Sequence, residues 1–209
     1  MSIFSAILSL IGCNRTNSSA SASNEAFDRQ LEESMRAFEN RPIHKILTTA
    51  IIDSTADNDL LQLIFDNLVE KLGVDYTKEF ETVLSWNEAR RSIYLIWLLQ
   101  AEVNNGGHNQ FYYNSSGQFY EYLPNALRLV GAKRHAELME RANAIYEREY
   151  NRITEHLDGT IEGFSKSYDD NPLNPLDDEF YKLEGEEDLF ALQVDYIRAH
   201  KEAFVDTST

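Results

Sequence analysis

The stretch from Asn87 to Val103 constrains this chain most. Ile93, Tyr94, Ile96, Trp97, Leu98 and Leu99 put apolar groups on nearly every side of a helix there. A helix apolar on most faces has to be surrounded, so it belongs at the centre of a domain. Asn104-Asn105-Gly106-Gly107 stops it, because glycine takes the left-handed conformation that closes a helix and asparagine tolerates it. The sequence on either side supplies helices to cover it. Glu25 to Glu39 carries Phe27, Leu31, Met35 and Phe38 on one stripe. Pro42 is expected to open a second helix at its favoured first-turn position and to run to about Ile52. Asp57 or Asn58 can cap a third, Asp59 to Leu72, which Gly73 ends. Tyr76 to Leu84 reads as a fourth.

Beyond the glycines comes a short element, His108 to Tyr113, and the loop Asn114-Ser115-Ser116-Gly117. Phe119 to Val130 reads as helical, with a new start or kink at Pro124. Ala132 to about His156 reads as one long amphipathic helix with Leu138, Ala142, Ile145 and Ile153 inward. Asn171-Pro172 and Asn174-Pro175 are turn signals. Asp178 to Leu183 and Glu186 to Phe204 complete the helices. No period-two alternation and no internal repeat stands out. The expectation is an all-α protein: one globular multi-helix domain over residues 25–209, behind a short flexible leader, residues 1–24.

The leader admits two readings. Leu10-Ile11-Gly12-Cys13 matches a bacterial lipoprotein cleavage box, which would lipidate Cys13 and leave a polar tether to Asn24. Against it, only Met1-Ser2 precede the apolar stretch, whereas secretory signals open on positive charge. The competing reading is a short leader on a cytoplasmic protein, with membrane contact only if Cys13 carries lipid. Cys13 is the sole cysteine, so neither an intrachain disulfide nor a thiolate cluster can form.

Charge narrows the partner. Asp and Glu number 35 against 19 Lys and Arg, a formal net charge of −16. Direct nucleic-acid binding needs a basic footprint that is missing here. A basic protein suits the chain better, although acidity also serves solubility alone. The densest acidic stretch holds Asp169, Asp170, Asp177, Asp178, Glu179, Glu184, Glu186, Glu187 and Asp188, opposed in that interval by Lys182 alone. These carboxylates are the candidate partner-binding surface. Their plain structural alternative is a solvated face, with Glu186, Glu187 and Asp188 favouring the start of a helix through its dipole.

The glycine-asparagine segment is the second candidate. Asn104, Asn105, Gly106, Gly107, His108, Gln110, Asn114, Ser115, Ser116 and Gly117 flank the aromatics Phe111, Tyr112 and Tyr113. The structural reading is a tight turn, an aromatic plug and a capped turn. The functional alternative is a polar pocket for a small ligand or peptide. This segment resembles the signature of the acidic bacterial DNA-mimic proteins of the nineteen type. Asn125 to Ala132 and Leu176 to His200 also look like that family's helices. His108 departs from the pattern, which has an aromatic after the two glycines. The resemblance implies an all-helical fold, a homodimer, and a carboxylate surface that occupies the DNA site of a DNA-binding regulator. An immunity-type inhibitor of a basic toxin would use the same charge.

Catalysis finds no foothold. There is no nucleophile elbow, phosphate loop or dinucleotide fingerprint, and His44, His108, His135, His156 and His200 are scattered without metal-ligand spacing. The chain reads as a binding protein with no enzyme activity, no cofactor and no metal.

Overall fold

The computed structural model describes residues 20–73 and 75–206. Cys13 and the rest of the leader up to residue 19 lie outside the described residues. Eleven α-helices run through that part of the chain: α1 (Ala20–Glu39), α2 (Thr49–Ser54), α3 (Asp57–Leu72), α4 (Glu79–Ser85), α5 (Glu88–Tyr113), α6 (Leu123–Leu129), α7 (Lys133–Arg148), α8 (Tyr150–Ile153), α9 (Ile161–Lys166), α10 (Asn174–Glu184) and α11 (Leu189–Ala199). Tight 3-10 turns occupy Tyr76–Lys78, Ser115–Tyr122 and Lys201–Ala203. Among the described residues there is no strand, so the all-α expectation holds.

The axis of the fold is α5. Its Ile93, Leu95, Ile96, Leu99 and Val103 are buried, and Trp97 and Leu98 are half-buried, as an all-round apolar helix requires. It packs against α3, α6, α10 and the 3-10 turn Ser115–Tyr122. The helices α6 and α10 in turn pack on α7, and α11 packs on α3. Asn87 caps the start of α5 by accepting a hydrogen bond from the Arg90 N–H. Inside α5 the helical conformation fails at Gly106 and Gly107, so it is two helices joined by a kink.

Several boundaries differ from the sequence reading. Pro42 opens no helix: residues 41–48 form a strap, and α2 starts only at Thr49, capped by Thr48. Tertiary bonds hold the strap open. The Leu47 N–H donates to Asp206, and Asn67 donates to the His44 and Lys45 carbonyls. The helix α3 begins at Asp57 without a side-chain cap. The long helix expected from Ala132 to His156 stops at Arg148. Ile153 is buried as its period demands, but on the separate turn α8. Pro175 lies in the first turn of α10, which starts four residues before Asp178. The last helix starts at Leu189, with Asp188 as its cap, so Glu186 and Glu187 precede it. At the other end α1 begins at Ala20, inside the stretch read as tether.

The chain end closes on the strap. The Asp206 carboxylate accepts from Arg90 (2.7 Å), Lys71 (3.0 Å) and the Leu47 N–H (2.9 Å), while its own N–H donates to the Leu47 carbonyl. Burial alone would raise this carboxyl. The Leu47 N–H, Lys71 and Arg90 outweigh it and bring the pKa from 3.8 down to about 2. A carboxyl lowered in the folded state adds stability above its unfolded pKa and loses it as pH falls through the folded one. D206N is therefore expected to cost about 2 kcal/mol at neutral pH. In urea titrations that deficit should shrink between pH 4 and 2, towards the wild-type value.

Candidate functional site

The two sequence-picked segments meet. Gly107 has φ +71, the left-handed region that favours glycine. A Cβ there would run into the Asp177 carboxylate. The bare glycine lets Asp177 of α10 reach the start of the helical half that follows the kink. One oxygen of Asp177 accepts both the His108 N–H (2.8 Å) and its ring Nδ1 (2.6 Å).

A second contact repeats this design ten residues on. Glu187 accepts the His135 N–H (2.9 Å) and ring Nδ1 (2.7 Å) with one oxygen, and the Arg134 N–H (3.1 Å) with the other. Here the carboxylate sits on the first turn of α7, where unpaired N–H groups and the helix dipole favour an anion. Burial pushes the Glu187 carboxyl up, but the His135 and Arg134 donors outweigh it and hold it below its usual value. Both imidazoles are fully buried and meet the Phe180 ring near perpendicular, at centroid distances of 5.9 Å for His108 and 5.3 Å for His135. Neither Nε2 has a hydrogen-bond partner. Because each carboxylate faces a backbone N–H as well, the ring Nδ1 must carry hydrogen and donate.

The rest of the signature is bonded within the fold. Glu102 gathers Gln110 (2.7 Å), Asn114 (2.8 Å) and Ser116 (3.1 Å), and Asn105 donates to Gln110 (2.9 Å). Asn104 reaches Glu184 at 3.4 Å. Tyr168 donates to the Gly106 carbonyl, and Asn109 ties to Ser167 and Asn171. Ser115 is exposed at the start of the 3-10 turn, and Gly117 fits against the Phe111 and Tyr112 carbonyls. The two cavities described lie elsewhere: about 430 Å³ along α4, and about 210 Å³ between Arg152, Lys166 and Asp169.

The acidic set divides by environment. Asp177 and Glu187 face inward. Glu179 pairs with Arg141 and Glu186 with Arg134, all four side chains being 39–52% exposed. Asp188 spends an oxygen on the Ala191 N–H. Asp169, Asp170 and Asp178 are exposed and enter no ion pair among the described residues, and Asp170 holds a left-handed φ of +50 while its carbonyl accepts from Arg152. The helix α7 thus brings cations to a stretch that looks nearly unopposed in sequence.

Glu102, His135, Asn109 and Asn171 were not singled out as site residues from sequence. His135 did leave a signal, since it shares the buried face of α7 with Leu138 and Ala142. Glu102 left none, because its partners lie beyond a kink whose angle the sequence does not state.

No group of three or more metal-ligating side chains comes together among the described residues, and no helix there is long and apolar enough to cross a membrane. The fold and the site define an acidic, all-helical protein whose C-terminal carboxylates are locked to a glycine kink. The chain belongs to the DMP19-like protein family, whose model matches residues 84–200, from the end of α4 to the residue after α11. That family takes its name from DNA mimic protein 19, and it is not a known enzyme family. No curated protein and no solved structure matches the chain.

Gly107 and Gly73 make a controlled comparison. Both have φ above +70, but a Cβ at Gly73 would meet nothing within 4 Å. G73A is expected to cost about 2 kcal/mol, the backbone term alone, since φ +74 with ψ −158 is a conformation almost confined to glycine. G107A should cost about 3 kcal/mol or more, because it also displaces Asp177 from His108. Urea unfolding of the two variants reads the difference directly.

Proposed function

We propose that this protein binds a basic, DNA-binding protein through the outward carboxylates of residues 169–188, standing in for the phosphates of DNA. The supporting observation is the way these charges are mounted. Those of residues 178–186 lie between two anchoring contacts, Asp177 to the buried His108 and Glu187 to the buried His135, and Asp169 and Asp170 precede the first anchor. A surrogate for DNA needs charges at fixed positions, since a duplex offers one phosphate per about 1.7 Å of axis. The net charge of −16 and membership of the DMP19-like family point the same way.

In this reading the outward carboxylates take part and the inward ones do not. Asp169, Asp170, Asp178, Glu186 and Asp188 are exposed, and Glu179 and Glu184 are half-exposed. Asp177 and Glu187 serve the scaffold instead. An exposed ion pair is worth about 0–1 kcal/mol, so Arg134 and Arg141 are weak competitors for an incoming cation. In this reading the chain also works as a homodimer, as the family resemblance implies, and sedimentation of the full chain measures that.

The test is binding of the full chain to a basic DNA-binding protein across a salt series, with duplex DNA as competitor. The complex should weaken as salt rises and be displaced by DNA. D169N/D170N/D178N should weaken it about tenfold and flatten its salt dependence, since exposed charges act mainly through screened attraction. Binding that ignores both DNA and the triple substitution would sink the proposal.

A further inference from the structure

The two buried histidines make the contacts that mount the proposed surface. Their geometry is the same twice over: one carboxylate oxygen receives a main-chain N–H and the Nδ1–H of the same residue. The carboxylates bracket the acidic segment, one near the start of α10 and one just past its end. Phe180, fully buried at the middle of α10, lies against both rings.

Between these anchors the segment has further ties. Tyr181 donates to the Val103 carbonyl at 2.8 Å, Glu184 accepts from Asn104, and Glu179 and Glu186 pair with α7. The pairs to Arg134 and Arg141 are solvent-exposed and weak. The histidine contacts are largely buried, charge-assisted and doubled, the kind of hydrogen bond that fixes geometry.

We infer that His108 and His135 are positioning residues, which set the direction in which the carboxylates of residues 178–186 point and so their match to a rigid array of cations. This inference rests on the proposed function and names what gives that surface its shape. Neither imidazole touches solvent, so the histidines act through Asp177 and Glu187 rather than on the partner. A plain packing role would be served by any apolar side chain. The doubled donation to one oxygen needs a donor at the Nδ1 position.

The test separates donor from volume. Asparagine places an amide nitrogen where Nδ1 lies, whereas the longer glutamine carries its amide nearer the Nε2 position. Full-length H108N/H135N and H108Q/H135Q leave every exposed charge in place. Each is titrated with two probes of equal charge: a stapled helical peptide with one face of arginines, and a flexible oligo-arginine peptide. Circular dichroism confirms that each variant is folded. The wild type should favour the helical probe by about tenfold, a margin of about 1.4 kcal/mol. The asparagine variant should keep that margin, and the glutamine variant should lose it while still binding the flexible probe. A margin unchanged in the glutamine variant overturns the inference and leaves the proposed function standing. Failure of the wild type to bind either probe overturns both. If the glutamine variant does not fold, the single variants H108Q and H135Q carry the comparison, each expected to lose part of the margin.

Discussion

Asp177 reaches His108 only because Gly107 has no side chain. That one contact joins the two most conspicuous parts of the sequence, the glycine kink and the acidic stretch. The kink turns α5 so that the His108 N–H and ring face α10. The carboxylate then satisfies backbone and side-chain donors that would be costly to leave unpaired in the core. Phe180 and Leu176, buried alongside, supply the apolar area that keeps water out.

The arrangement shows how a strongly acidic chain can remain folded. Like charges repel, so a dense run of carboxylates strains a compact state. Here some of that charge is taken inward and matched to N–H groups at Asp177, Glu187 and Asp206. A further part faces the arginines of α7. Within the run 169–188, Asp169, Asp170 and Asp178 are left exposed without an ion pair among the described residues, fewer than the sequence suggests.

The central helix was legible because its apolar residues leave no polar face, and the kink because two asparagines and two glycines leave little else to do. The boundaries set by tertiary contact were not legible. Residues 41–48 carry a helix-starting proline, yet the bonds from Asn67 and Asp206 hold them extended. Glu186 and Glu187 look like the charged first turn of a helix, but Glu187 is drawn across to the start of α7. The signature's polar groups read first as a scaffold, with a pocket as the alternative. The decisive partner, Glu102, stood eight residues from Gln110 with nothing in the spacing to mark it. His108 behaves partly as an aromatic, since its ring packs on Phe180, while its nitrogen does what a phenyl group could not.

The knot at Asp206 bears on where this domain begins and ends as a physical object. The family match covers residues 84–200, yet Asp206 lies outside it and binds Arg90 inside it, together with Lys71 and Leu47 on the far side. A fragment cut at the matched limits would keep Arg90 and discard the anion that neutralises it, along with the strap and α3. The matched segment is therefore narrower than the set of residues that this one contact ties together.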